Sequence, residues 1–313
     1  MKLKKSSSIN FFLFLIILFS SCSKNDEVSQ EEIKQYIPLD NLSEGQGLFG
    51  YSYNLTSVNK ILDVYYYIPE GKTATTPIIF VFHGAERNAE DYRNTMIAKA
   101  DEFGFIIIAP EFSEQNYPGG DGYNLGNVFI DGDNPSQATL NPENEWAFSI
   151  VEPLFDYVKA QINNTNSTYN IFGHSAGGQF AHRFIMFKPN PRINKVVASA
   201  SGWYTFPNLS IDFPYGFNAS PLEDVSLNNL LSKQVYIQVG ENDNNPNAAG
   251  LRHNVFADAQ GLNRKDRAIN FFQFCQQLSQ DNAIFFNWSF NSIDNADHGY
   301  ILASENAANL LFN

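Results

Sequence analysis

The segment from Tyr169 to Gly178 constrains the fold of this chain more than any other part of the sequence. It contains the pattern Gly-x-Ser-x-Gly, with an apolar, strand-like run before it and a helix-like run after it. A serine on a sharp turn between a strand and a helix holds its hydroxyl above the sheet, where it can act as a nucleophile. Gly173 and Gly177 leave room for such a turn. This context predicts Ser175 as a nucleophile; the alternative is a serine that only fills a tight turn.

The first 21 residues have the pattern of a secretory signal peptide. Three lysines precede nine apolar residues, Phe11 to Phe19, and Ser20-Ser21-Cys22 follows. Nine apolar residues are too few to span a bilayer but suit the core of a signal peptide. A small-residue pair before a cysteine resembles a bacterial lipobox, so we predict cleavage before Cys22 and lipid attachment to it. Ordinary secretion with cleavage nearby is the alternative.

The predicted product is an extracytoplasmic bacterial lipoprotein, anchored in a membrane through Cys22 and either facing the periplasm or exposed on the outer membrane. Residues 22–44 are polar and acidic without hydrophobic periodicity, which predicts a lipidated N-terminus and flexible tether. The domain itself is predicted to occupy residues 45–313. Cys275 is the only other cysteine in the sequence, so a lipidated Cys22 leaves no intramolecular disulfide.

The charge of the chain argues against nucleic acid as a partner. The sequence has 33 acidic and 20 basic residues, a net charge of −13, whereas phosphate binding depends on lysine and arginine. Removal of the signal peptide would take away three of these lysines and no acidic residue, so the net negative charge would increase. The expected partner is therefore a small-molecule or polymer substrate.

Apolar runs of strand length alternate with helical patterns along the rest of the chain. Continuous apolar runs are typical of strands buried on both faces, and their alternation with helices predicts one α/β domain with a mostly parallel, open sheet. The predicted strands are 62–68, 78–82, 105–109, 195–199, 235–239 and 285–290. The predicted helices are 91–103, 146–162, 179–187, 266–278 and about 302–311.

Two segments do not fit the alternation, residues 113–145 and 203–231. Both are rich in asparagine, proline, glycine and aromatic residues, and they are predicted to be loops over the carboxyl edge of the sheet. In open α/β sheets that edge carries the functional site. No long helical insertion follows the sixth strand, so the sequence predicts no large lid.

A serine nucleophile needs a base to take its proton and an acid to orient that base. In the α/β-hydrolase chain order of serine, acid and histidine, Asp243 follows the run 235–239 in a turn-forming sequence. Glu241 is the second choice for the acid, because it leaves the strand earlier. His298 follows the last strand and is predicted to be the base; capping of the C-terminal helix is the alternative.

Negative charge on a tetrahedral intermediate also needs backbone donors. One is the N–H group after the nucleophile, at Ala176. The other is expected in the loop after the strand 78–82, where we predict the N–H of Ala85, with Glu86 as the adjacent alternative. His83 is predicted to brace this loop by hydrogen bonds.

The motifs Phe82-His83-Gly84, Gly173 to Gly178, Gly240 to Asp243 and Asp297-His298-Gly299 resemble those of the α/β-hydrolase superfamily. Within it, the chain is similar to bacterial serine esterases related to polyhydroxybutyrate depolymerases and feruloyl esterases. The segments 260–264 and 202–204 resemble a group of secreted hydrolases. The resemblance spans about residues 50–313 and implies the same catalytic residues and donor loop. Ala85 stands where many depolymerases have cysteine, so the resemblance does not imply a substrate.

Two groups of residues in the loops have alternative interpretations. Trp203 and Tyr204 are predicted to contact substrate by ring stacking, and the alternative is that they pack the loop onto the domain. The acidic residues of the other loop predict a solvated segment, with calcium binding as the alternative, although their spacing is not that of an EF-hand. The residues concerned are Asp121, Asp131, Asp133, Glu143 and Glu145. No cofactor and no other metal site is predicted.

Three functions follow from these observations. The first is an extracytoplasmic serine hydrolase that cleaves carboxylic esters (carbohydrate-linked, phenolic or polyester-like) through an acyl-enzyme intermediate. The second is a serine peptidase of the same fold. The third is a lipoprotein that kept the fold as a non-catalytic binding module, against which the presence of Ser175, Asp243 and His298 argues.

Overall fold

An eight-stranded sheet organises the part of the chain that the computed structural model describes, residues 42–54 and 59–313. Its strand order is β1-β2-β4-β3-β5-β6-β7-β8, with β2 antiparallel to both β1 and β4 and every other neighbouring pair parallel. The strands are β1 (Gly45–Asn54), β2 (Asn59–Ile68), β3 (Ile78–Phe82), β4 (Ile106–Glu111), β5 (Tyr169–His174), β6 (Ile193–Ser199), β7 (Gln234–Gly240) and β8 (Trp288–Ile293). The predicted open, mostly parallel α/β sheet is confirmed.

Helices cover both faces of this sheet. They are α1 (Ala89–Phe103), α2 (Gly119–Gly122), α3 (Val151–Ile162), α4 (Ala176–Phe187), α5 (Leu227–Leu231), α6 (Val255–Ala259), α7 (Arg264–Asp281) and α8 (Tyr300–Phe312). Helices α1 and α8 pack on one face, and α3, α4 and α7 on the other. In β3, Ile79 and Val81 point to the first face and Phe80 to the second. The run is apolar throughout because neither face meets water.

The strands at the two edges of the sheet differ most from the prediction. β1 is absent from the predicted strands; among the described strands it pairs with β2 alone, and its alternate residues Phe49, Tyr51 and Tyr53 are buried. β8 begins at Trp288, three residues after the predicted start. The backbone N–H of Ile284 donates to the carbonyl of Ser279 in the last turns of α7, and residues 284–287 between that bond and Trp288 have no strand conformation.

Both segments predicted as loops follow the carboxyl ends of strands. Residues 113–145 follow β4 and contain only α2 and a 3-10 turn at Glu143–Glu145. Residues 203–231 follow β6, where the longest helix, α5, has five residues. The sheet edge above β5 therefore carries short segments and no large lid, as predicted.

The predicted signal peptide, the lipidation site Cys22 and residues 22–41 of the predicted tether lie outside the described residues and stay predictions. Leu42, at the end of the predicted tether, is buried and contacts the core. No helix within 42–54 and 59–313 is long and apolar enough to cross a membrane.

Candidate active site

Ser175 lies on a strained turn between β5 and α4. Its backbone has φ 56° and ψ −115°, a conformation that costs a residue with a side chain on the order of 1–3 kcal/mol. The turn also needs glycine at two positions. A Cβ on Gly173 would lie 2.0 Å from the carbonyl oxygen of Gly177, and one on Gly177 would lie 2.0 Å from that of Phe82. Packing thus requires both glycines of the Gly-x-Ser-x-Gly pattern. The turn that they allow holds the serine at the edge of the sheet.

The structure brings the side chains of Ser175, His298 and Asp243 into one hydrogen-bonded chain. His298 Nε2 lies 3.1 Å from Ser175 Oγ, and His298 Nδ1 lies 2.7 Å from Asp243 Oδ2. The three residues follow the parallel strands β5, β8 and β7, whose carboxyl ends share one edge of the sheet. The Asp243 side chain is 3% exposed and that of His298 is 33% exposed. Such an arrangement can move a proton from the serine to an imidazole that a carboxylate orients.

The other acids near His298 make contacts of a different kind. Glu241 is exposed, and its carboxylate accepts a bond from the backbone N–H of Asn295 at 3.4 Å. Asp297 is also exposed, and its carboxylate accepts from the backbone N–H of Gly299 at 2.8 Å rather than from the ring of His298. Helix α8 has Gly299 at its cap with no capping side chain, so His298 does not cap this helix.

Arg264 is a site residue that the sequence reasoning missed. Its Nη1 atom lies 3.5 Å from Asp243 Oδ1, the carboxylate oxygen that His298 does not contact, and both side chains are buried. A buried carboxylate needs a compensating positive charge, which Arg264 supplies at the first position of α7. The segment 260–264 resembles that of other hydrolases, but no local pattern marks Arg264 as a partner of Asp243.

The loop predicted to supply a backbone donor lies beside the serine. A Cβ on Gly84 would be 3.8 Å from the Cβ of Ser175. Ala85 follows it on the exposed part of the loop, and Ala176 is the first residue of α4. Within the described residues, neither alanine N–H has a hydrogen-bond acceptor. Both donors are therefore free, and the oxyanion role of Ala85 and Ala176 stays a prediction.

His83 braces this loop from below. Its ring is fully buried, Nδ1 lies 2.8 Å from the carbonyl oxygen of Gly84, and Nε2 accepts from the backbone N–H of Phe112 at 3.0 Å. The hydroxyl of Tyr123 donates to the His83 carbonyl at 2.7 Å. Burial lowers the pKa of His83 to about 3, so the ring is neutral and acts as a structural connection.

Tyr204 corrects the predicted set of substrate-contacting residues. It is 0% exposed, its ring stacks on Phe271 at 4.4 Å, and the side chain of Gln260 binds both its backbone N–H and its carbonyl. Its ring is therefore not available to a substrate. Trp203 is 4% exposed and lies against the guanidinium of Arg183, 4.1 Å from the ring centre. Tyr204 and most of the Trp203 side chain therefore pack the loop onto the domain, which is the alternative interpretation of these two residues.

The carboxylates of the acidic loop bind groups of the protein itself. Asp133 forms an ion pair with Arg252, and Asp121 accepts from the N–H of Gly132 at 3.0 Å. The remaining contacts are Asp131 with Asn134 and Glu143 with Lys188, and Glu145 lies in the 3-10 turn. Among the described residues no three His, Cys, Asp or Glu side chains are grouped as metal ligands.

Comparison with known proteins places the chain among hydrolases. No family model and no curated protein matches it. Poly(aspartic acid) hydrolase-1 from Sphingomonas sp. KT-1 is 34% identical over 87% of this chain and 100% of its own, with a TM-score of 0.80. A poly(3-hydroxybutyrate) depolymerase from Bordetella parapertussis is 28% identical over 86% and 90%, with a TM-score of 0.79. An S-formylglutathione hydrolase from Agrobacterium tumefaciens, 17% identical over 87% and 95%, shares the fold with a TM-score of 0.51.

Proposed function

The chain belongs to the serine hydrolases of the α/β-hydrolase superfamily, and we propose that it cleaves carboxylic esters with Ser175, His298 and Asp243 as its catalytic triad. The observation that carries this proposal is the unbroken chain of contacts from Ser175 Oγ through both ring nitrogens of His298 to Asp243. A binding module would not need a strained serine, a partly exposed imidazole and a buried carboxylate joined by hydrogen bonds.

The reaction proposed from this geometry has two halves. Ser175 Oγ attacks the ester carbonyl carbon while His298 Nε2 takes its proton, and the free N–H groups of Ala85 and Ala176 stabilise the oxyanion. His298 then gives the proton to the leaving alcohol, which yields an acyl-enzyme on Ser175. In the second half, water attacks the acyl carbon while His298 takes its proton. The bond to Ser175 Oγ then breaks, His298 returns the proton to Oγ, and the acid is released. Asp243 stabilises the imidazolium in both halves.

The substrate class is proposed from the comparisons and from the charge of the chain. One similar protein is named for a polyester and another for poly(aspartic acid), whose chain is held by amide bonds. Amide hydrolysis is therefore the second candidate. The net charge of −13 repels a polyanion at long range and favours a neutral ester such as a polyester, a phenolic ester or a carbohydrate-linked ester.

A substrate panel separates these candidates. The purified chain is assayed on nitrophenyl acyl esters of increasing length, feruloyl and acetyl-sugar esters, 3-hydroxybutyrate oligomers and aspartate oligomers. We expect turnover of the nitrophenyl esters and of one natural ester class, with higher kcat/KM than for any amide. Cleavage of aspartate oligomers with no ester turnover would replace the proposal with the amide alternative.

The cellular location is proposed from Cys22 and the residues before it. Lipid chains add about 0.8 kcal/mol of membrane affinity for each buried CH₂, so two or more chains hold a protein firmly. We expect the wild-type chain in the membrane fraction and Cys22→Ala in a soluble or unprocessed form. Cys275→Ala is the control, since Cys275 is buried in the core. A wild-type chain recovered entirely in the soluble fraction would contradict the anchor.

A further inference from the structure

His174, the last residue of β5, packs against the ring of the proposed base. The ring centres of His174 and His298 are 4.9 Å apart. Burial, reinforced by the electrostatic influence of the neighbouring His298 and Arg264, lowers the pKa of His174 well below its ordinary value, so it is neutral at neutral pH. Its Nε2 atom is buried without a hydrogen-bond partner among the described residues. Within the described part of the chain, the ring has one hydrogen bond, which joins Nδ1 to the hydroxyl of Tyr92 at 2.9 Å.

Tyr92, a buried residue of α1, contacts three segments that carry the site. Besides His174, its hydroxyl packs tightly against Gly84, in the loop after β3 that carries Ala85. A Cβ added to Gly84 would lie only 2.9 Å from this hydroxyl. Its ring stacks on Tyr300, two residues after His298, with ring centres 4.5 Å apart. Burial raises the pKa of the Tyr92 hydroxyl well above its ordinary value, so it keeps its proton.

We propose that Tyr92 is a positioning residue, whose hydroxyl holds His174 against His298 and fixes the donor loop at Gly84. The inference rests on the proposed function, because it assigns Tyr92 a part in that reaction. The base and the oxyanion donors must keep their distances to the reacting carbonyl, and a displacement of 1 Å costs about 10²-fold in rate. Tyr92 is 2% exposed and does not reach substrate, so it affects the transition state rather than substrate binding.

The matched pair Tyr92→Phe and Tyr157→Phe tests this role in the full chain. Tyr157 carries a buried hydroxyl that has no hydrogen-bond partner among residues 42–54 and 59–313, and its ring packs on the other face of the sheet. For Tyr92→Phe we expect kcat on a nitrophenyl ester to fall about tenfold or more with KM unchanged, since the lost contact acts in the transition state. The rate at which a fluorophosphonate labels Ser175 should fall in parallel. Tyr157→Phe should leave both rates near wild type, and thermal unfolding shows that both variants are folded.

Each result decides between positioning and packing. A kcat and a labelling rate for Tyr92→Phe equal to those of Tyr157→Phe would overturn the inference and leave the proposed function standing. An increase in KM at unchanged kcat would also overturn it, because that assigns Tyr92 to binding. A wild-type chain that the probe does not label would overturn the proposed function and this inference together.

Discussion

Ser175→Ala is expected to abolish ester turnover and covalent labelling while the chain stays folded. The substitution removes only Oγ, the atom proposed to form the acyl-enzyme, and leaves the glycines that make the turn possible. In a serine protease, loss of the nucleophile costs about 10⁶-fold in kcat, or roughly 8 kcal/mol of transition-state stabilisation. A serine that only filled a tight turn would cost little activity, so the two interpretations of Ser175 differ by many orders of magnitude.

A fluorophosphonate probe and kcat on a nitrophenyl ester together measure this effect. The matched control is Ser210→Ala, because Ser210 is more exposed than Ser175 and no histidine contacts it in the described part of the chain. Accessibility alone would favour labelling of Ser210, whereas activation by His298 favours Ser175. Equal labelling of wild type and Ser175→Ala would end the serine-hydrolase interpretation of this site.

The features that could be predicted from the sequence are those that local chemistry determines. The run 78–82 forms β3 with the same bounds, because five consecutive apolar residues are too short for a typical helix and suit a strand covered on both faces. The position of Ser175 follows from glycines that the turn cannot do without. The contact of His298 with Asp243 also follows, since residues at the carboxyl ends of neighbouring parallel strands meet at one edge.

The features that could not be predicted depend on partners far away in the sequence. Arg264 lies 21 residues after the carboxylate of Asp243 that it compensates, and Tyr92 of helix α1 contacts His174 of strand β5. An aromatic residue in a loop gives no local indication of whether it faces substrate or core, which is why the structure corrects Tyr204. His174 also gives no local indication of its role, because its contact with His298 forms only in the folded chain.

Asp243→Asn is expected to reduce kcat by roughly 10⁴, as the same change does in serine proteases, which corresponds to about 5.5 kcal/mol. The carboxylate fixes the tautomer of His298 and stabilises the imidazolium that forms when Ser175 loses its proton. An asparagine can present its NH₂ group to Nδ1, which favours the wrong tautomer. The amide also leaves the charge of buried Arg264 without its partner, so kcat is measured on protein shown to be folded.

Asp258→Asn provides a control of the same chemistry at a different place. Asp258 Oδ1 lies 2.7 Å from His253 Nδ1, the same separation as in the pair of Asp243 and His298, but the Nε2 of His253 contacts the carbonyl oxygen of Pro246 instead of a serine. Asp243 is proposed to act through His298, the base that takes the proton of Ser175. Asp258→Asn should then keep kcat near wild type, whereas Asp243→Asn should lower it. Near-wild-type turnover by Asp243→Asn would assign the acid elsewhere. Glu241, exposed and bonded to the N–H of Asn295, would then be the next residue to substitute.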